Sequence, residues 1–331
     1  MPRLFSVSWS LLLLPLALPA QAQTLRDPTW DQLLEQERHA ELDTQARERL
    51  KAQAADPQAT LAVAMVAMAQ GPASRAETVL PLAEACLAAQ PQAAECHYAK
   101  GALMGVQALT GGMFKAMRLA SGIRESFEKA VALQPDSFNH RAALMQFYLA
   151  APSIAGGGVD KARDLASAAE ARQPEQAKCL RALLAVQAEK WDEAEALLWS
   201  VQPGNDTALR SMVYSGLGQI AIQHLNEKKP QKAQPLLDRL LKAEPGRALA
   251  TYALGRLKAE TGALPDALRH YTQARSLRGH SQLPLDYREA LVWLLLGDTA
   301  KAKPLLQRFV DAGRGGAKNL DDAKDKLAKL S

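Results

Sequence analysis

The chain has 331 residues, a net charge of +5 and 23% charged residues, with only 5% aromatics. Lys and Arg alternate with Asp and Glu along most segments rather than gathering on one stripe, which argues against nucleic acid as a partner. Beyond the first residues, no run is apolar enough for the roughly 20 residues that a membrane span requires, so no membrane anchor is expected.

The first residues read as an export signal. Arg3 supplies a positive start, Leu11 to Leu18 form a short apolar run broken by Pro15, and Ala20-Gln21-Ala22 has the small-x-small pattern of a cleavage site. No Cys follows the run directly, so a lipid-bearing cysteine is not expected. We expect cleavage after Ala22, a mature terminus at Gln23 and a periplasmic address. Removing residues 1–22 takes away Arg3 and no acid, which leaves +4 from +5.

The mature part is rich in Ala and Leu, a composition that suits helices packed through small side chains. Residues 28–54 predict one long charged helix, and 58–110 predict helical hairpins. Cys86 and Cys96 each lie five residues from Pro91. In an antiparallel hairpin turning at that proline they stand opposite each other, and an oxidising compartment permits a disulfide. The alternative is two small buried residues at helix-packing sites. Cys179 is left over and is expected to be buried.

Gly111-Gly112 interrupts the pattern before a helix running to Gln134. Ala151 to Gly158 (Ala-Pro-Ser-Ile-Ala-Gly-Gly-Gly) is an insertion inside a hairpin. Gly156, Gly157 and Gly158 are open to two readings: a backbone nest that binds an anion, or a flexible connector.

From residue 123 onward the pattern A-x3-[FYL]-x2-A recurs, in several copies with Pro five residues later. Its leading positions are Ile123, Ala162, Ala194, Ala233, Ala267 and Ala302, spaced by 39, 32, 39, 34 and 35 residues. Twelve residues before the leading Ala stands a small residue in four units: Ala182, Ala221, Gly255 and Ala290. A small side chain there lets a paired helix approach closely. Thr261-Gly262 and Leu296-Gly297 carry helix-ending turn chemistry. No stretch alternates with period two, so no sheet is expected.

These spacings scatter around the roughly 34-residue unit of a tetratricopeptide repeat. The chain resembles that family over residues 123–312, most closely in Leu254-Gly255…Ala267…Tyr271…Ala274. It departs from the family pattern in lacking the early Trp. The resemblance implies an all-α, tetratricopeptide-like α-solenoid of stacked antiparallel helix hairpins. The expected order is a leader over 1–22, a helical region with degenerate repeats over 23–110, the repeat array over 111–312, and a terminal capping helix over 313–331. In this family the fifth position of each first helix points into a concave groove. By register that selects Cys179, Gly218, Tyr252 and Tyr287, with Arg256 one turn beyond Tyr252. Tyr and Arg are residue types enriched in binding hot spots, so Tyr252, Arg256 and Tyr287 are the candidate partner-binding residues.

Catalytic motifs are weak. The six His residues show no metal-ligand spacing. Gly216 to Ala221 matches a dinucleotide fingerprint, but within a helix where that motif has no function. Glu125-Ser126 with Leu144-Met145-Gln146 resembles a lytic transglycosylase signature, interrupted by Ala143 and by the repeat itself. Neither a cofactor nor a metal is expected. The reading is a non-catalytic periplasmic scaffold that binds a protein or peptide. The alternatives are a small-ligand or glycan-binding module using the Gly156–Gly158 loop and a peptidoglycan-cleaving enzyme.

Overall fold

The computed structural model describes residues 25–70, 73–313 and 315–330. The expected leader over 1–22 and the terminus at Gln23 lie outside these residues. The described chain is helical, and its only β contact is a single bridge between Arg247 and Arg278. It divides into two compact units that meet in sequence between Pro245 and Gly246.

The first unit is built from hairpins. These pair α1 (Pro28–Glu35) with α2 (His39–Ala52), α3 (Pro57–Gln70) with α4 (Ala73–Ala89), and α5 (Ala94–Thr110) with α6 (Gly112–Leu133). They continue with α7 (Phe138–Ala150) and α8 (Val159–Ala169), α9 (Pro174–Gln187) and α10 (Trp191–Ser200), then α11 (Thr207–Asn226) and α12 (Pro230–Ala243). The Gly111-Gly112 break therefore lies inside a hairpin. The second unit holds α13 (Ala248–Glu260) with α14 (Leu264–Ala274), α15 (Leu285–Leu295) with α16 (Thr299–Ala312), and α17 (Ala317–Lys329).

Local chemistry sets the boundaries. Ser137, Asp206 and Asp298 each accept a hydrogen bond from a backbone N–H three residues on, capping α7, α11 and α16. Pro174 and Pro230 open α9 and α12 at positions that need no amide donor. Every leading Ala of the repeat pattern is fully buried, as are Ala182, Ala221 and Ala290. Ala323 joins Tyr287 and Phe309 in one apolar cluster, with Leu320, Leu327 and Leu330 against it, so α17 covers the last hairpin.

The single helix expected over 28–54 is two helices. Glu37 takes a left-handed φ of 57°, and Glu37 and Arg38 donate to the carbonyls of Leu34 and Leu33. The break lets Trp30, Leu33 and Leu34 turn inward together with Leu42 and Ala46, all of them buried. Trp30 Nε1 then donates to Gln45 Oε1 at 3.0 Å, and Arg49 lies 5.3 Å from the centre of its ring.

Candidate partner-binding surface

Tyr252 and Arg256 on α13 and Tyr287 on α15 are expected from the sequence to line an open groove. The structure corrects this: they are 3%, 6% and 6% exposed. The Tyr252 ring packs against Tyr271 at 6.0 Å between centroids, and Tyr287 stacks on Phe309 at 5.2 Å. The Tyr287 hydroxyl donates to Asp322 Oδ2 at 2.8 Å. Burial and that hydrogen bond push its pKa up to about 12, so it keeps its proton to donate. Arg256 is paired with Glu260 one turn along the same helix, at 3.3 Å.

What joins the two tyrosines is a residue the sequence reading missed. Arg288 Nε donates to the Tyr252 hydroxyl at 3.3 Å, and its guanidinium lies 5.4 Å from the centre of the Tyr287 ring. The available signal was a cation next to Tyr287, one repeat after Tyr252. Arg275 further ties α14 to α15 through Asp286 at 2.6 Å and Glu289 at 2.7 Å. These residues hold hairpins together.

In the first unit the corresponding positions, Cys179 and Gly218, are also buried, and α7 touches both α9 and α11. The interior between these first helices carries polar groups. Arg141 Nη1 donates to Gln176 Oε1 at 3.4 Å, and Gln176 Nε2 to the Asp136 carbonyl at 3.3 Å. His140 lies 5.0 Å from Tyr98, ring to ring. Burial pushes the His140 imidazole down to about 4, against the pull of Glu95.

A more open feature lies on the second helices. A hollow of about 380 Å³ is lined by Asp192, Glu195, Ala196, Trp199 and Arg239. The Arg239 guanidinium stands 3.6 Å over the Trp199 ring, close enough for a cation–π contact. Lys232 Nζ donates to both Asp192 oxygens at 2.8 and 2.9 Å, and this pair holds the Asp192 carboxyl below its usual range. An aromatic ring, an arginine and carboxylates around one hollow are suited to gripping a side chain of a partner.

The amides of the glycine loop are turned onto carbonyls of its own hairpin. Gly156 N–H donates to the Ser153 carbonyl at 2.9 Å, Gly157 to Pro152 at 3.1 Å and Gly158 to Tyr148 at 2.8 Å. All three amides are engaged in closing the loop. Glycine is needed because φ is +89° at Gly156 and +144° at Gly158, while a Cβ on Gly157 would stand 1.9 Å from the Ala151 oxygen. Lys161 Nζ donates to the Gly156 carbonyl at 3.0 Å, which ties the loop to the start of α8.

Cys86 on α4 and Cys96 on α5 are joined across the turn at Pro91, with Cα atoms 5.9 Å apart. Cys179 is buried, which pushes its thiol pKa up. Glu125 lies on α6 with a 68% exposed side chain beside Arg124, in the setting of a surface helix residue. The Gly216–Ala221 motif sits inside α11. Among the described residues no cluster of His, Cys, Asp or Glu is arranged to hold a metal.

This arrangement defines the chain as a helical-hairpin repeat protein with the tetratricopeptide-like solenoid fold. It is similar to the human IFIT1 dimer with PPP-AAAA, at a TM-score of 0.51 and 14% identity over 83% of this chain and 63% of that one. The IFIT1 dimer with m7Gppp-AAAA gives a TM-score of 0.52 at 14% identity, over 83% and 62% of the two chains. Yeast Tom70 matches at 0.46 and 11%, over 83% and 64%. The chain thus spans a little under two thirds of the length of these structures. No protein-family model matches the sequence, and no curated protein matches it.

Proposed function

We infer that the chain is a non-catalytic periplasmic scaffold that binds a protein or peptide partner. The observation that carries this reading is the stack of helical hairpins itself, since such stacks present extended surfaces suited to macromolecular ligands. The Trp199–Arg239 hollow supplies the hot-spot residue types on that stack. The export signal read over residues 1–22 supports the periplasmic address, as does a Cys86–Cys96 bond, which persists in oxidising compartments. Interleaved acids and bases favour a protein partner over RNA.

The test is crosslinking in periplasmic extract with the processed chain as bait, read by mass spectrometry beside an Arg239→Glu variant. A partner crosslinked near residue 199 and lost in the variant is the expected result. Crosslinks indifferent to the variant would remove the hollow from the reading, and recovery of the chain only from cytoplasm, with Met1 intact, would remove the address.

A further inference from the structure

The α5–α6 hairpin is longer than the repeat requires. Where first and second helices cross, a glycine faces an aromatic ring: Gly255 meets Tyr271, and Gly101 meets Phe127. The two members are 16 residues apart in the first case and 26 in the second. Counted to the turn glycines Gly112 and Gly262, the extra ten residues are four on the first arm and six on the second, which extends this hairpin by roughly 6–9 Å beyond the regular length at 1.5 Å per residue.

The extension carries an unusual surface. Leu109, Met113, Phe114 and Met117 are 49%, 51%, 95% and 38% exposed. Met113, Phe114 and Met117 fall within one turn on α6, so they share a face. Exposed apolar groups clustered like this mark an interaction surface.

Charge selects the partner. Between Glu95 and Glu125 the chain has Lys100, Lys115, Arg118 and Arg124 and no Asp or Glu. Lys115 is paired with Glu77 of α4 and Arg124 with Glu125 and Glu128 of its own helix, so the cation the tip itself presents is Arg118, exposed one turn from Phe114. A protruding edge cannot enclose a ligand. It suits a soft surface that admits single apolar side chains between negative headgroups, the combination used by proteins lying on membranes. No described helix is long and apolar enough to cross a bilayer, so the contact is peripheral. We propose that the α5–α6 tip, led by Phe114 and Arg118, docks on an anionic lipid surface. This rests on the tip alone and stands apart from the partner-binding reading.

The test uses the full chain carrying Thr110→Cys labelled with an environment-sensitive fluorophore. Cys86 and Cys96 are joined and Cys179 is buried, so the label reports from the tip. Vesicles of phosphatidylcholine, alone or mixed with phosphatidylglycerol, are titrated in, with nitroxide-bearing lipid as quencher. A blue shift and quenching that require phosphatidylglycerol are expected. Phe114→Glu should weaken binding about tenfold or more, and Arg118→Glu should weaken it and flatten its salt dependence. Phe114→Ser repeats the first test without adding charge. No spectral change, equal binding to phosphatidylcholine, or undiminished binding by the Phe114 variants overturns the proposal. So would a dimer in sedimentation that Phe114→Glu dissociates, because the tip would then belong to a second copy.

Discussion

Gly255 lies so close to Tyr271 that a Cβ on the glycine would stand 2.6 Å from Cε1 of the ring. The ring is fully buried and also packs against Tyr252, so it has no room to move aside. Overpacking of this kind costs about 1–3 kcal/mol, while alanine in place of a helical glycine returns at most about 1 kcal/mol. The packing term wins. Gly255→Ala should lower the urea midpoint, whereas Gly105→Ala, inside α5 with nothing within 4 Å, should raise it. The same sign for both would show that the glycine–tyrosine contact is slack.

Tyr287 gives the second expectation. Its ring stacks on Phe309, and its hydroxyl holds Asp322 on the capping helix. Tyr287→Phe removes one hydrogen bond and should cost about 1 kcal/mol. Tyr287→Ala also empties the stack and should cost about 3–5 kcal/mol. Hydrogen exchange in α17 should rise in both. A Tyr287→Ala protein as stable as the parent would restore this residue to the surface.

Acid should weaken the protein through His140. Its folded-state pKa of about 4 lies below the ordinary 6.5, so the unfolded chain binds the proton first. Its contribution is complete above pH 6.5 and is lost as pH falls from 6.5 to 4, by about 3 kcal/mol. Urea midpoints across that window, for the parent and His140→Gln, check this. Identical slopes for the two proteins would rule His140 out as the group that titrates.

For the glycine loop, the amides of Gly156, Gly157 and Gly158 should exchange slowly with deuterium, and added phosphate should leave them unchanged. Gly157→Ala should loosen the whole turn, because the atom in its way is backbone rather than a flexible side chain. A phosphate-dependent shift at these amides in an NMR titration would revive the anion site.

The cysteines can be mapped by alkylation before and after unfolding. Cys86 and Cys96 should be found joined, and Cys179 should react only once the protein unfolds, since its thiol is buried and its pKa is raised. Reduction closes no gap in the core but frees the loop between Cys86 and Cys96, ten positions apart, and should lower stability by about 2–3 kcal/mol. Rapid labelling of Cys179 in the native protein would contradict its burial.

The fold was legible in the sequence because each hairpin contacts mainly its neighbours, so the packing rule repeats locally. The positions of Ala162, Ala194, Ala233, Ala267 and Ala302 are enough to announce helices crossing at small side chains, and the apolar stripe of α17 announces its cap. The sequence by itself could not say which polar and aromatic residues remain in water, because that depends on how successive hairpins close over one another. Tyr252 is buried partly through Arg288, 36 residues away, and Tyr287 through Asp322, 35 residues away. The glycine run likewise names a turn, but only the folded loop brings the Tyr148 carbonyl to the Gly158 amide and so removes the donors an anion would need.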